Sequence, residues 1–393
     1  MGGRIMASTI NSSTSNGIVI TPDTSGEIEL QANGVTKAKI TANGLQDANG
    51  NSLRGGMYRN LIRNGDMQIA QRGTSSTSTG YYTVDGWFSG DVSASNTITQ
   101  SQEADAPSNQ GLYYSHKNLL TSTSTATAAR LETVQRLEAQ FIRHSGWNYT
   151  SSLSYLTLSF WVKSNVTGTY YTLIRTEDGT AKSINKSYTI DTANTWEKKT
   201  ITIPGDSSLQ INNDNGRGMS VWTFYIANTD TTDNALSNLD AWGTFSSSGY
   251  TPDSSTASTF LNTSGAYISY TGVQLEVGSG SSDFEFLPYD VQLSRCQRYY
   301  QSIEAGVNAY SSTGITGFPL NTAMRATPTL TFSYSGTANR VYRIDTGGTS
   351  DLTVAATALT DKSFISLFAT SPAGWASAAG IGFRSIFVFS AEL

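Results

Sequence analysis

The sequence predicts an all-β chain made of three successive pieces, and three observations carry that prediction. Charged residues make up only 14% of the 393 positions, so polarity comes mostly from Ser, Thr, Asn and Gly, a mixture suited to strands and turns. β-branched and aromatic runs recur at the spacing of an antiparallel sandwich. Near the amino terminus, short alternating runs are punctuated three times by Ala-Asn-Gly, at Ala32, Ala42 and Ala48.

The first piece covers residues 1–56. Asn-Gly supplies the two positive-φ residues that a tight hairpin turn demands, so Ile20 to Gly50 reads as a strip of short β-hairpins. Its runs are too short and too weakly apolar to bury a core within one chain. Such a strip becomes stable when other copies cover its apolar face, which marks an assembly and attachment segment. The closing DANGNSLRGG is a linker by composition.

The second piece, residues 57–295, reads as a series of strands. Leu156 to Ser164, Thr169 to Glu177, Lys186 to Ile190, Lys198 to Pro204, Met219 to Asn228 and Ala266 to Gly278 are β-branched and aromatic, with turn-rich stretches between them. The stretch from Ala129 to Arg143 is ambiguous. Leu131, Val134, Leu137 and Phe141 stand at helical spacing, while Leu137, Ala139 and Phe141 alternate as a strand would. At the exit, Pro288 is placed to open a short helix over PYDVQLSRCQRYYQ.

The third piece, residues 296–393, repeats the strand-and-turn style as a small β domain. It offers Thr327 to Gly336, Ala338 to Gly348, Asp361 to Ala369 and the terminal GFRSIFVFSAEL, read together as three strong strands and two or three weak ones.

The net charge of −5 gives no long-range attraction to phosphate, so nucleic acid is not an expected partner. Arg54, Arg59, Arg63 and Arg72 form the local basic excess, and they are expected to pair with nearby carboxylates. With Cys296 as the single cysteine no intrachain disulfide can form, which suits folding in a reducing cytoplasm. A basic-then-apolar leader and a membrane-length apolar run are both missing, so neither export by an ordinary signal nor membrane insertion is expected.

Several motifs resemble those of one known group. NLIRNGDMQIAQRG (Asn60 to Gly73) followed by YTVDGWF (Tyr82 to Phe88) is similar to the opening of the sandwich domain in phage tail-fibre and virion appendage proteins. VQRLEA, LTLSFWVKS, GVQLEVGS, FEFLPYD and LSRCQRYYQ follow in the same order, with PLNTAMRATPTLTFS and a terminal FSAEL after them. The resemblance spans nearly the whole chain. It implies a jelly-roll sandwich similar to carbohydrate-binding modules, a homotrimeric fibre, a trimerising amino-terminal segment docked on virion tail or capsid proteins, and a place on the virion after synthesis in the host cytoplasm. It also implies that VQRLEA is a strand. Ligand identity does not carry over, because such frames vary in the loops that would read it.

Candidate chemistry is sparse. His116 and His144 are the only histidines, and neither stands in a nucleophile signature. Carboxylate pairs suited to a glycan depolymerase occur at Glu177 and Asp178, Asp230 and Asp233, and Asp283 and Glu285, each adjacent or loop-borne. No cofactor is expected, but NNDNGRG and NTDTTDN place Asp214, Asp230 and Asp233 among hard oxygens that a Ca2+ ion could use, with ordinary Asx turns as the alternative. Trp87, Trp161, Trp196 and Trp222 are assigned to core packing. Trp147, Tyr149, Trp242, Tyr250 and Trp375 lie in polar turns, where aromatic faces can take sugar C–H groups, although a turn tryptophan can equally fold back as a lid. The expectation is a non-enzymatic phage fibre or appendage protein that binds host-surface glycan through these loops. A virion decoration or adaptor protein without a host ligand and a glycan depolymerase are the alternatives.

Overall fold

The computed structural model describes residues 28–32, 34–41, 44–47, 58–91, 97–123, 129–227, 238–245, 255–311, 314–335, 337–338, 340–343, 348–351, 353–358, 364–370 and 381–393. It is nearly all β, as the sequence predicts, and every pair of named strands is antiparallel. Among these residues no helix is long and apolar enough to cross a membrane.

The leading strip is a meander of β1 (Ile28–Ala32), β2 (Val35–Thr41) and β3 (Gly44–Asp47). Gly34, at φ +73°, lies in the first turn where the sequence places Asn-Gly. Register pairs Ile28 with Ile40 and Leu30 with Ala38, which gathers the apolar residues on one face. On the other face Glu29 accepts from Gln31 and Thr36 and pairs with Lys39 at 3.0 Å. Those hydrogen bonds hold the Glu29 carboxyl down at about 2. Leu30 and Ile40 remain 47% and 43% exposed, so the apolar face has no cover within the described chain.

Twelve strands then build two six-stranded sheets. In chain order they are β4 (Ser75–Ser76), β5 (Phe88–Asp91), β6 (Thr97–Glu103), β7 (Ser115–Ser122), β8 (Arg130–Glu138), β9 (Tyr155–Ser164), β10 (Gly168–Thr176), β11 (Lys182–Ile190), β12 (Glu197–Pro204), β13 (Arg217–Ala227), β14 (Gly243–Thr244) and β15 (Tyr267–Val277). Sheet one runs β14-β11-β10-β13-β8-β5 and sheet two β12-β9-β15-β7-β6-β4. Alternation decides what lies between them. Leu156, Leu158, Phe160 and Val162 of β9 meet Tyr170, Ile174, Ile184, Tyr188, Val221 and Phe224 of sheet one in a single buried cluster. Polar side chains tie the sheets through that core: Asn118 Nδ2 donates to Thr133 Oγ1 at 2.7 Å, and the Tyr188 and Tyr270 hydroxyls lie 2.9 Å apart. Leaving either partner alone in the core would cost more than the bond contributes, so each fixes sheet alignment.

Among the described residues three helices interrupt the strands: α1 (Ala139–His144), α2 (Ser255–Asn262) and α3 (Tyr289–Gln297). The ambiguous stretch from Ala129 divides. VQRLE is strand in β8, as the resemblance implies, and the chain turns helical at Ala139. Pro288 caps α3, with Asp290 in its first turn and Arg295 in its last, each favoured by the helix dipole.

Beyond α3, nine strands among the described residues form one sheet: β16 (Tyr300–Ser311), β17 (Gly314–Pro319), β18 (Thr329–Tyr334), β19 (Thr337–Ala338), β20 (Arg340–Arg343), β21 (Gly348–Asp351), β22 (Thr353–Ala358), β23 (Phe364–Thr370) and β24 (Ile381–Ser390). This exceeds the five or six strands read from sequence, because weak Ala- and Gly-rich runs pair as well.

A knot of buried charge joins this sheet to the sandwich. The Arg72 guanidinium lies 3.6 Å from the Tyr300 ring centre, 3.7 Å from Asp85 and 2.8 Å from Glu392. Arg63 stacks on Tyr299 at 3.8 Å and also faces Glu392, at 3.4 Å. The fully buried Glu138 accepts two hydrogen bonds from Arg298, at 2.7 and 2.8 Å, and a third from the Tyr299 hydroxyl at 2.6 Å. Burial alone would raise the Glu138 carboxyl, but these donors outweigh it and hold it below its ordinary value. Arg325 closes the knot by donating to the Ala391 and Glu392 carbonyls at 2.5 and 2.8 Å. The basic residues thus do pair with carboxylates, yet Arg63 and Arg72 meet Glu392 from 329 and 320 residues away in sequence. Arg59 likewise pairs with the remote Glu276 at 3.4 Å, and Arg54 lies outside the described residues.

Burial without a partner is the expensive state for such groups. Arg72→Met is therefore expected to destabilise the protein by about 3 kcal/mol in urea denaturation, while Arg72→Met combined with Asp85→Asn recovers part of that loss. Strict additivity of the two changes would show that the charges are not coupled.

Candidate functional site

The turn aromatics fold inward. Trp147 is only 4% exposed, joins the core cluster, and donates from Nε1 to the Ser154 carbonyl at 3.2 Å. This corrects the expectation of an exposed contact residue: a ring of this size at a turn buries more apolar area by closing the end of the sandwich than by facing water. Tyr149 packs partly against the same cluster, and its hydroxyl accepts from Arg143. Trp242 is half-buried, packs on the core and donates to the Pro204 carbonyl at 2.7 Å. Tyr250 and Trp375 lie outside the described residues.

The polar candidates also have structural partners. Asp214 Oδ1 accepts from the Gly216 amide at 2.8 Å, the hydrogen bond of an Asx turn, which is the alternative to a Ca2+ ligand. Asp230 and Asp233 lie outside the described residues, and among those described no group of three or more His, Cys, Asp or Glu could hold a metal. Glu285 accepts from the Arg59 and Asn60 amides at 3.0 and 2.8 Å, and Asp178 accepts twice from Asn212 at 2.9 Å. Cys296 is a buried small residue, as the sequence suggests.

His144 ends α1 and is exposed, whereas His116 lies in β7, completely buried, with Nε2 3.0 Å from Ser89 Oγ of β5. A serine beside a histidine invites a nucleophilic reading, but both side chains are sealed within the core, where no substrate reaches them. Their bond is a further tie between the sheets. Burial pushes the ring down from 6.5 to about 4, so it is neutral near pH 7.

What the sequence assigns to the core divides three ways. Trp87 is fully buried, whereas Trp161 and Trp196 are half-buried on the outer face of sheet two and Trp222 lies on the outer face of sheet one. In β9, inward Leu156, Leu158, Phe160 and Val162 force Thr157, Ser159, Trp161 and Lys163 outward. Gly272, at φ +58° in the adjacent strand, leaves room there: a Cβ would stand 2.8 Å from Leu112 Cδ1 and 3.1 Å from Trp161 Cδ1.

At the same end of sheet two, Lys163, Ser269 and Lys117 form one row across β9, β15 and β7. Lys163 ion-pairs with Asp105 and stands 5.0 Å from the Trp196 ring centre. Trp196 Nε1 donates to the same carboxylate at 3.2 Å. Lys117 lies 4.8 Å from the ring of Tyr267, whose hydroxyl donates to Asn194 at 2.8 Å. Burial raises the Asp105 carboxyl somewhat, but the hydrogen bonds from Lys163 and Trp196 prevail and keep it below its usual value. With its side chain 47% exposed, Asp105 stays an ionised acceptor at the surface. The result is two half-buried rings, two ammonium groups, a carboxylate and an amide on one face. Such a mixture can take the C–H face and the hydroxyls of a polar ring at once.

No family model matches the chain, and no curated protein matches it in sequence. Among solved structures it is similar to the enzymatically active domain of bacteriophage CBA120 tailspike protein 4, at 14% identity and a TM-score of 0.31 over 56% of this chain. The match spans 22% of the tailspike chain. It is also similar to a family 11 carbohydrate-binding module from Clostridium thermocellum in complex with a mixed-linked tetrasaccharide, at 14% identity and a TM-score of 0.28, covering 53% of this chain and 98% of the module. A xylan-binding domain from Paenibacillus barcinonensis matches at 12% identity and a TM-score of 0.26, over 53% of this chain and 94% of that one. Likeness of this degree does not bear on what the present chain binds.

The depressed His116 fixes a pH dependence. The unfolded ring takes up its proton near pH 6.5 and the folded ring only near 4, so stability is present above that window and is lost as pH falls through it. Between pH 7 and pH 5 the parent is expected to lose about 2 kcal/mol more than His116→Asn, read from denaturant midpoints at each pH. Asp85, which burial raises to about 6, contributes with the opposite sign but equally in both proteins, so it cancels. Parallel pH profiles would refute the assignment.

Proposed function

We propose that this chain is a non-enzymatic fibre or appendage protein of a phage virion. It assembles as a homotrimer, attaches through its amino-terminal strip, and binds a glycan of the host surface. The observation that carries the binding part is the surface cluster of Trp196, Tyr267, Asp105, Lys163, Lys117 and Asn194 on sheet two. Rings in that position stack on sugar faces, and the flanking charged and amide groups exchange hydrogen bonds with sugar hydroxyls. The contact therefore sits on a sheet face, whose backbone is rigid, in place of the turn tryptophans.

What supports the assembly part is the strip itself. Three short strands with exposed Leu30 and Ile40 have an apolar face that sister chains would cover. The ordered motifs shared with virion appendages support the location. Weak single sites presented three at a time gain affinity through effective concentration, so a shallow surface suffices. The non-enzymatic reading is supported by Glu285 and Asp178, which are committed to backbone and amide donors.

A glycan array probed with the full-length protein tests this reading. Binding to a defined subset is expected, and Trp196→Ala or Asp105→Asn should weaken it by about tenfold or more while leaving the thermal midpoint within a few degrees. Binding that survives both changes, or no binding to any host-derived glycan, would remove the proposal.

A further inference from the structure

The opposite face of the sandwich carries a second constellation. Register places Ser183, Arg175, Ser220 and Arg136 in one row across β11, β10, β13 and β8. The next row holds Leu173, Trp222, Val134 and Phe88, the first three of which form a small apolar cluster separate from the main core. All these residues point away from sheet two, since their neighbours Ile174, Val221 and Leu137 point toward it.

Three guanidinium groups gather around this row. Glu177 is 3.0 Å from Arg175 and 3.8 Å from Arg217, and it accepts from Ser220 Oγ at 2.6 Å. One carboxylate thus serves two guanidinium groups, and the third, Arg136, donates to the Tyr81 hydroxyl at 2.7 Å. That hydroxyl also lies 3.3 Å from the Leu393 carbonyl. A second carboxylate on this face, Glu132, accepts from Trp222 Nε1 at 2.8 Å. Burial, together with the nearby Arg136 and Arg175, pushes the Arg217 guanidinium below its ordinary value.

Two features make the row a receptor for an anion. First, the guanidinium planes are held: Arg175 lies 3.9 Å from the Phe245 ring centre and Arg136 4.6 Å from that of Phe88. Pre-orientation on rings cuts the entropy lost when a ligand binds. Second, the outer ends of the guanidinium groups stay within reach of a ligand, the Arg175 and Arg217 side chains being 27% and 37% exposed, while the Nε–H groups of Arg136 and Arg175 are closed off beneath them.

We propose that Arg136, Arg175 and Arg217 form an anion subsite that takes the carboxylate of an acidic sugar, with the rings of the Trp222 row, edged by Glu132, beside it. A planar carboxylate matches the paired donors of a guanidinium, and Ser183 and Ser220 add hydroxyls at the same level. The choice of an acidic sugar rests on the carbohydrate reading above, but the site lies on the other face and uses different residues.

Binding of the full-length protein to polygalacturonate, to its carboxyl-reduced neutral counterpart and to dextran sulfate tests this at about 0.15 M salt, where distant charges are screened. Polygalacturonate is expected to bind more tightly than the reduced polymer. Arg175→Gln and the more exposed Arg217→Gln should each lose about tenfold or more on the acidic polymer, with the circular dichroism spectrum unchanged. Arg175→Lys, which keeps the charge without the fork, should fall between. Equal binding of acidic and reduced polymers would overturn the subsite and leave the glycan reading standing, whereas binding to neither would overturn the subsite in its acidic-sugar form. Preference for dextran sulfate with the same arginine dependence would assign the anion to sulfate and overturn the carboxylate.

Discussion

Arg63 and Arg72 are held inside the protein with their guanidinium groups 3.8 and 3.6 Å from the ring centres of Tyr299 and Tyr300, and both face Glu392. Taking such ions out of water is costly unless several partners arrive together. The knot draws on six segments far apart in sequence: the loop before β4, the turn before β5, the end of β8, the exit of α3, the loop before β18 and the last residues of the chain. The knot can be satisfied only when sandwich and terminal sheet are both in place. NLIRNGDMQIAQRG, VDGW, VQRLEA, LSRCQRYYQ and FSAEL contribute Arg63, Arg72, Asp85, Glu138, Arg298, Tyr299, Tyr300 and Glu392, so these stretches of sequence belong chiefly to the joint.

The fold class was legible because alternation and turn chemistry are local. β9, β10, β12, β13 and β15 begin and end within two residues of the runs read from sequence. Ala129 to Arg143 defeated periodicity for a physical reason: the segment is strand through Glu138 and helix after it, so neither period holds throughout. The knot was invisible, since nothing local in Arg72 announces a partner at Glu392.

The site was less legible, for two reasons. Tryptophans in turns look exposed, but Trp147 and Trp242 close the ends of the core because that buries more apolar surface. Tryptophans in strands look buried, yet a strand has two faces. For Trp161 the answer was present in the sequence, since Leu158, Phe160 and Val162 fix its parity. For Trp222 it was not, because the register of β13 shifts between Trp222 and Phe224 and breaks the alternation that would have revealed it. Each outer face then combines rings with charge, one through Lys163 and Asp105, the other through the arginine row.

The shared knot makes a demand on the whole molecule that segment-resolved hydrogen exchange of the intact protein tests most directly. Amides of β9, β16 and β24 should lose protection at the same urea concentration, as one cooperative unit. Exchange of β16 and β24 at low urea while β9 stays protected would contradict the account, since the joint would then contribute nothing to holding the two sheets' worth of structure together.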